Sequence, residues 1–494
     1  MAEQSILVID EGTTSTRAML FSPQGRPLGA AQREIAQHYP EPGRVEHDAG
    51  EIWRSSLACA REMVDKAGGP ERIAGIGITN QRETIVFWHA RTGEALAPAI
   101  VWLDRRTADL CRNLKAEGHE ELVQERSGLL IDPYFSGSKI AWAMANWPQL
   151  AEAGSDLRMG TIESWLVHKL TGGLHVSDAT NAARTLLMDI DSGGWDQELL
   201  DLFGAPRAAL PEIVDCAGDF GATAPELFGA PIPIRGMAGD QQAASIGQAC
   251  FTPGDSKATY GTGAFILALT GEERGHSKSR LLSTVAWQLG GERCYALEGS
   301  IFVAGSLVQW LRDSLKLIDD AAESEALARS VEDNGGVVLV PALSGLGAPH
   351  WEPKARAAIT GLSFHSGKAH VVRAGLEAMA HQTRDLMAAF AADGAPWRTI
   401  KLDGGMTRND WMCQDIANIC ALPAERPEFI ETTALGAAML AGLGCGHHDS
   451  LEETAKMRGP VTRFEPEMED AARERRLGDW REALAAVLAA RNDL

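Results

Sequence analysis

The chain has 494 residues, too many for one ordinary hydrophobic core, so two large domains are expected. Its 45% apolar and 23% charged residues form a globular composition, which excludes disordered and fibrous classes. A formal net charge of −21 argues against nucleic acid and anionic membranes as main partners, and it makes any cation beside an anionic substrate conspicuous.

The eight cysteines (59, 111, 216, 250, 294, 413, 420 and 445) are scattered with no Cys-x-x-Cys pair, which fits reduced thiols better than a disulfide framework. Residues 1–5 are polar and lead straight into an apolar run, so no secretory signal is expected. No apolar run approaches the length of a membrane span. The expectation is a soluble, cytoplasmic protein.

Apolar runs at 6–9 and 18–21 flank Asp10-Glu11-Gly12-Thr13-Thr14-Ser15-Thr16-Arg17, predicting a hairpin. Its turn carries a carboxylate, a glycine, four consecutive hydroxyl residues and an arginine. Gly12 lets backbone approach a ligand closely, hydroxyls and amides can bind phosphate oxygens, and Arg17 adds fixed charge. Asp10, ending the strand, suits a cation accompanying those phosphates. An ordinary polar turn is the alternative, and the Walker A pattern is absent here.

Residues 27–34 read as a third strand. Asp48 caps a helix with Ile52, Leu57, Met63 and Val64 on its apolar side. A buried strand at 73–78 and a further one at 84–88 follow, then helices at 104–116, at 138–146 and from near Ser164. Strands giving way to helix and strand is an α/β pattern. A strand and turn are expected over 232–240, and residues 258–267 form a strand, a Gly/Thr turn and a strand, an echo of 6–21. Strands at 282–288 and 293–297 precede helices at 302–315 and 371–391. A strand at 400–403 runs into Gly404-Gly405, with helices from Asn409, over 434–443 and over 473–490, the last a charged amphipathic one. The halves are expected to divide near 247–253, as domains 1–248 and 249–494.

In register, Asp10-x-Gly12-Thr13-Thr14, Gly239-Asp240-Gln241-Gln242, Tyr260-Gly261-Thr262-Gly263 and Asp403-Gly404-Gly405 occur in the order seen in the FGGY carbohydrate kinases of the actin-like ATPase superfamily. Asn80-Gln81-Arg82-Glu83-Thr84, Ile100-Val101-Trp102, Asp132-Pro133-Tyr134 and Ala434-Leu435-Gly436-Ala437-Ala438 make the chain resemble the glycerol kinase branch of that family, from Asp10 to about Gly444. The resemblance implies an α/β fold of two ribonuclease-H-like domains flanking a central cleft, the first for substrate and phosphates, the second for nucleotide. It implies ATP-dependent phosphorylation of glycerol to sn-glycerol 3-phosphate, and it leaves room for a homo-oligomer. Nucleotide contacts are implied for Thr13, Thr14, Ser15, Arg17, Thr262, Gly305, Gln309, Gly405 and Asn409. Glycerol contacts are implied for Arg82, Glu83, Trp102, Tyr134, Asp240, Gln241 and Phe265, and Mg2+ is implied at Asp10 and phosphate oxygens.

The chemistry of these residues can be weighed one by one. Asp240 is the expected general base, because phosphoryl transfer needs an acceptor for the alcohol proton. The competing reading is a capping aspartate ahead of a helix at Gln241. Arg82 and Glu83 offer donors and acceptors for vicinal hydroxyls. Adjacent strand residues point to opposite faces, so both can reach one small triol only if the backbone turns irregular near Gln81. Otherwise they are a surface ion pair. Trp102 and Phe265 would wall the carbon skeleton and Tyr134 add a hydroxyl, although Trp102 also reads as core. Gly404-Gly405 would let backbone lie against a flat ring or phosphate, or simply end a strand. Cys445, His447 and His448 lack a fourth ligand, and no zinc is assigned.

Four departures from the family pattern stand out. Glu11 replaces the usual glutamine, placing an extra carboxylate beside the phosphate turn; an adjacent strand position should point it away from the ligand, and otherwise it would weaken ATP binding. Residues 406–409 replace small residues after the glycine pair. The helix with Lys139 and Trp142 carries Ala143 and Ala145. A Gly-Gly-x-Arg loop that binds fructose 1,6-bisphosphate in some bacterial relatives is missing before Ile232, so no inhibition of that type is expected. The rival readings are a kinase for erythritol or a pentulose, and a catalytically silent nucleotide-dependent regulator.

Overall fold

A computed structural model describes residues 4–490; of the polar segment read at 1–5, residues 1–3 lie outside it. Ser5–Glu11 and Ser15–Phe21 form the expected hairpin, pairing antiparallel with Asp10 opposite Arg17. Pro27–Glu34 adds antiparallel on one side, while Ile73–Asn80 and then Ile234–Gly239 add parallel on the other, giving a five-stranded sheet. Isoleucine, leucine and valine fill both faces of the central strand, as burial on both sides of a sheet requires.

The second sheet repeats this plan. Asp255–Tyr260 and Ala264–Gly271 form an antiparallel hairpin, Glu292–Ile301 continues antiparallel, and Thr399–Asp403 followed by Ala424–Pro427 continue parallel. Leu282–Leu289 and Val461–Phe464 extend the edges to seven strands. The echo of 6–21 in 258–267 is thus an echo of topology, with few shared residues. Each hairpin turn sits beside the carboxyl ends of its parallel neighbours, where open α/β sheets place ligands.

Helix Ala49–Ala67 covers the first sheet; the Asp48 carboxylate caps it by accepting from Gly50 N, and Ile52, Met63 and Val64 are buried. Leu57 departs from expectation: it is half-buried beside Trp53 in a solvent groove, because the core face runs through Ser56, Cys59 and Ala60. Two helices begin later than the pattern suggests, at Ala108–Ala116 and Gly305–Asp313. At 232–240 there is no turn: the strand Ile234–Gly239 passes directly into helix Asp240–Gly247.

Helix Thr432–Gly444 comes from the far end of the sequence yet packs on the first sheet, where Ala434, Ala438 and Ala441 join Ile6, Val8 and Phe21 in one core. It crosses Asp240–Gly247 almost backbone to backbone. A Cβ on Gly436 would stand 1.8 Å from Ala243 O, and one on Gly247 2.0 Å from Thr432 O. The small residues of the Ala-Leu-Gly-Ala-Ala run exist for this close crossing. Helix Asp470–Ala489 buries Leu477, Trp480 and Val487 against the second core and leaves its charged face in solvent. Among the described residues, no helix is long and apolar enough to cross a membrane.

Candidate active site

The turn after Gly12 forms because Gly12 N donates to Ser15 O at 3.0 Å, closing a tight loop that leaves Thr14 exposed and Thr13, Ser15 and Arg17 half-buried. Thr16 points the other way and shares a 3.0 Å hydrogen bond with Ser56 Oγ. Glu11 points inward as strand alternation requires: it is wholly buried, and Ser56 Oγ donates to its Oε2 at 2.8 Å. Burial pushes its carboxyl up to about 8 against the hydrogen bonds from Thr16 and Ser56. It is therefore held largely in its neutral acid form at neutral pH and adds little charge to the turn.

Asp10 is different. Burial raises its carboxyl to about 7; Arg17 opposes this, while Asp240 and Glu431 add to it. A carboxylate pressed by two others fits a divalent cation. Mg2+ is commonly held by one or two carboxylates plus substrate phosphates and water, so a lone protein ligand is adequate here. Arg17 donates to Glu431 Oε2 at 2.5 Å, a pair formed between the hairpin and the start of helix Thr432–Gly444.

The expected irregularity near Gln81 is present. Strand Ile73–Asn80 ends one residue earlier, and Glu83 adopts a left-handed backbone with φ of 62°. Such a conformation is costly for a residue with a Cβ and collects at functional sites. It turns Arg82 and Glu83 toward one space. Arg82, 2% exposed, lies with its Nε 3.3 Å from Asp240 Oδ1 and its NH2 3.4 Å from the Tyr134 hydroxyl. The Asp240 side chain is 33% exposed, opens the helix after Gly239, and accepts from Gln241 N at 2.7 Å.

Trp102, Tyr134 and Phe265 make an aromatic box, with Trp102 edge-on to the others at ring separations of 5.6 and 6.3 Å. Lys139 fixes the box from behind by donating to Tyr134 O at 2.6 Å and Phe135 O at 3.2 Å. Burial lowers that ammonium to about 8. Trp142 does not reach the box; it carries the Arg106 guanidinium 4.7 Å above its ring. Gln241 is buried and accepts from Lys257 Nζ.

Gln81 joins the two regions. Its Nε2 donates to Gly12 O at 3.1 Å, and its Oε1 accepts from Thr84, whose hydroxyl in turn accepts from Trp102 N. Trp102 Nε1 closes the loop by donating to Thr13 Oγ1 at 2.8 Å.

Thr262, Gly305, Gln309, Gly405 and Asn409 line one cavity of about 480 Å³. That volume is in the range of small-molecule and cofactor sites. The second hairpin builds its wall: Gly305 N donates to Gly261 O at 2.9 Å. Gly404, at φ of 90°, is required because a Cβ there would stand 2.5 Å from Tyr260 O. The Asn409 carbonyl caps helix Asp410–Cys420, so only its amide edge, 3.4 Å from Ser324, faces the cavity. Val308, Arg312 and Met406 also line it.

All seven expected glycerol residues therefore converge, and the nine expected nucleotide residues divide between the first hairpin and this cavity. Sequence reasoning missed Glu298, Arg184, Lys257 and Glu431. Arg184 donates to Glu83 Oε1 at 2.6 Å and to Glu298 Oε1 at 2.9 Å. Glu298 also receives Arg82 at 2.6 and 3.1 Å. Burial would raise its carboxyl, but Arg184 and Arg82 outweigh that and hold it near 2.

Two matches cover this architecture. Residues 5–247 match the N-terminal domain of the FGGY family of carbohydrate kinases, and residues 256–445 match its C-terminal domain. The chain belongs to the FGGY family of carbohydrate kinases. This FGGY kinase is 54% identical to a glycerol kinase of Methylobacterium nodulans over 492 residues, 98% of each chain. It is also 54% identical to one of Rhodospirillum rubrum over 488 residues, again 98% of each. Its fold matches the crystal structure of Plasmodium falciparum glycerol kinase with ADP at TM-score 0.94 and 36% identity, covering 98% of each chain. A xylulose kinase of Lactobacillus acidophilus, at 22% identity and TM-score 0.88 over 99% of each chain, shares the fold. The kinase thus has the two-part ribonuclease-H-like fold of the actin-like ATPases.

Proposed function

We propose that this FGGY kinase transfers the γ-phosphoryl group of ATP to glycerol, giving sn-glycerol 3-phosphate and ADP, and that it works in the cytoplasm. The observation that carries this reading is Asp240 standing 3.3 Å from Arg82 beside the aromatic box, with that box tied to the phosphate turn through Trp102 and Thr13. The full-length likeness to glycerol kinases supports it.

Glycerol lies with its carbon skeleton against Trp102 and Phe265 and its hydroxyls toward Arg82, Glu83, Tyr134, Asp240 and Gln241. Asp240 accepts the proton of the terminal hydroxyl as that oxygen attacks the γ-phosphorus. The adenosine occupies the cavity lined by Gly305, Gln309, Gly405 and Asn409, and its phosphates reach Thr262, Thr13, Thr14, Ser15 and Arg17. Asp10 would hold Mg2+, which when bound would offset phosphate charge. Closing the cleft excludes water, which limits hydrolysis of ATP.

The test is a coupled ADP-release assay on the purified protein across glycerol, erythritol, D-xylulose and D-ribulose. The reading predicts the greatest kcat/KM for glycerol. A greater kcat/KM for a tetritol or pentulose overturns it, and no turnover with any acceptor returns the chain to a regulatory role.

A further inference from the structure

Both terminal nitrogens of the Arg82 guanidinium already have two hydrogen-bond partners each. One terminal nitrogen meets Glu298 Oε2 at 2.6 Å and Gln242 Oε1 at 3.2 Å. The other meets Glu298 Oε1 at 3.1 Å and the Tyr134 hydroxyl at 3.4 Å. Nε faces Asp240 Oδ1 at 3.3 Å, with Glu83 Oε1 at 3.8 Å. The fork of Arg82, the geometry that binds a carboxylate in two places, is thus given to Glu298 and not to Asp240. Only one edge touches Asp240.

Glu298 lies on Glu292–Ile301 in the second sheet, whereas Arg82, Glu83 and Arg184 belong to the first half. All four side chains are at most 2% exposed, and charges alternate around the ring Arg82, Glu298, Arg184, Glu83. Arg184 is a second clasp: it grips Glu83 and Glu298 together, and its guanidinium lies 5.6 Å over the Tyr134 ring.

We propose that Glu298 is a positioning residue for phosphoryl acceptance: by occupying the Arg82 fork from the opposite sheet, it keeps Arg82 from closing on Asp240. Without it, the carboxylates left to a fully buried guanidinium are Asp240 and Glu83. A two-point pair with Asp240 covers the oxygens that must receive the hydroxyl proton and draws Arg82 away from the acceptor's hydroxyls. Glu298 therefore sets acceptor binding and turnover without touching the nucleotide cavity, whose lining it does not join.

This inference rests on the glycerol reading, so wild-type protein is assayed first across the polyol panel. If another acceptor is preferred, that reading alone fails and the variants are scored on the preferred acceptor. Glu298→Gln keeps size and removes charge. The expected result is a kcat lowered at least 30-fold and a glycerol KM raised at least fivefold, with the Kd for ADP by calorimetry within twofold of wild type. Glu298→Asp, which restores charge, is expected to keep at least ten times the kcat of Glu298→Gln. Should Glu298→Gln be insoluble, Arg184→Lys carries the test, with a selective rise in glycerol KM of threefold or more. Wild-type acceptor kinetics in a folded variant overturn the proposal. So does a loss that strikes ADP binding and glycerol kinetics alike, in step with a lowered Tm, since that marks a structural role only.

Discussion

Trp102 Nε1 donates a 2.8 Å hydrogen bond to Thr13 Oγ1. A wall of the aromatic box is thereby fastened to the turn after Gly12, so under the proposed function this side-chain contact helps set the two substrates relative to one another. A hydrogen bond of this kind contributes about 0.5–1.5 kcal/mol net. Trp102→Phe, which keeps the wall and removes the donor, is expected to lower kcat/KM about 3- to 10-fold, and Thr13→Val by a similar factor. The double variant should cost little more than either alone, because both remove the same bond. Steady-state kinetics on the three proteins check this; strictly multiplicative losses would show that the bond does not couple the sites.

Glu11 makes the pH dependence of stability testable. Its folded pKa, about 8, lies above the ordinary glutamate value near 4.5, so the native state binds the extra proton. A raised carboxyl stabilises most below the unfolded pKa, and that contribution is lost as pH climbs from about 4.5 through 8. Glu11→Gln cannot titrate. It is expected to match wild type near pH 5 and to gain on it steadily toward pH 8, by up to about 3 kcal/mol. Thermal melts of both proteins at pH 5, 6.5 and 8 decide it; a constant offset across that range would place the Glu11 charge elsewhere.

Asp10 predicts a proton count. With its carboxyl near 7, raised by burial and by Asp240 and Glu431, much of it is protonated at pH 6.5. A cation held there as proposed must displace that proton, so binding of Mg-ADP at pH 6.5 should release the greater part of one proton. Calorimetry in two buffers of different ionisation enthalpy measures the release. Asp10→Asn should abolish it and lower kcat at least 100-fold; an unchanged release in that variant would remove Asp10 from the cation.

The Arg17 and Glu431 pair is 31% and 41% exposed, so its stabilising effect is expected to stay below about 1 kcal/mol. Under the proposed function its effect is competition, because phosphate and Glu431 seek the same guanidinium. Glu431→Gln should leave Tm within about 2 °C and lower the KM for ATP two- to fivefold. An unchanged or raised KM for ATP contradicts the competition.

Much of this arrangement was legible in residue order. The apolar runs on either side of Gly12 marked a hairpin turn, strand alternation turned Glu11 away from it, and the neighbouring Arg82 and Glu83 demanded the irregular backbone that appears as the left-handed Glu83. The ring around Arg82 was not legible, because Glu298 stands 216 positions from Arg82 and nothing in either segment announces the pairing. Leu57 was misplaced because helical period alone cannot tell a core face from an adjoining solvent groove. The turn expected after Gly239 is a helix start, since a glycine at a strand end serves either purpose. Glu431 escaped because it acts through a helix that returns from the end of the chain to the first sheet.

The central claim is that Asp240, proposed both to contact glycerol and to take its proton, is the general base; asparagine in its place keeps the shape and an acceptor oxygen while removing the base. Single-turnover phosphorylation of glycerol by Asp240→Asn, measured beside ADP and glycerol binding by calorimetry, tests it most directly. ADP and glycerol affinities are expected within about threefold of wild type and the rate at least 1,000-fold lower, in the range expected for loss of a general base in a preorganised site. A phosphorylation rate within threefold of wild type would contradict it.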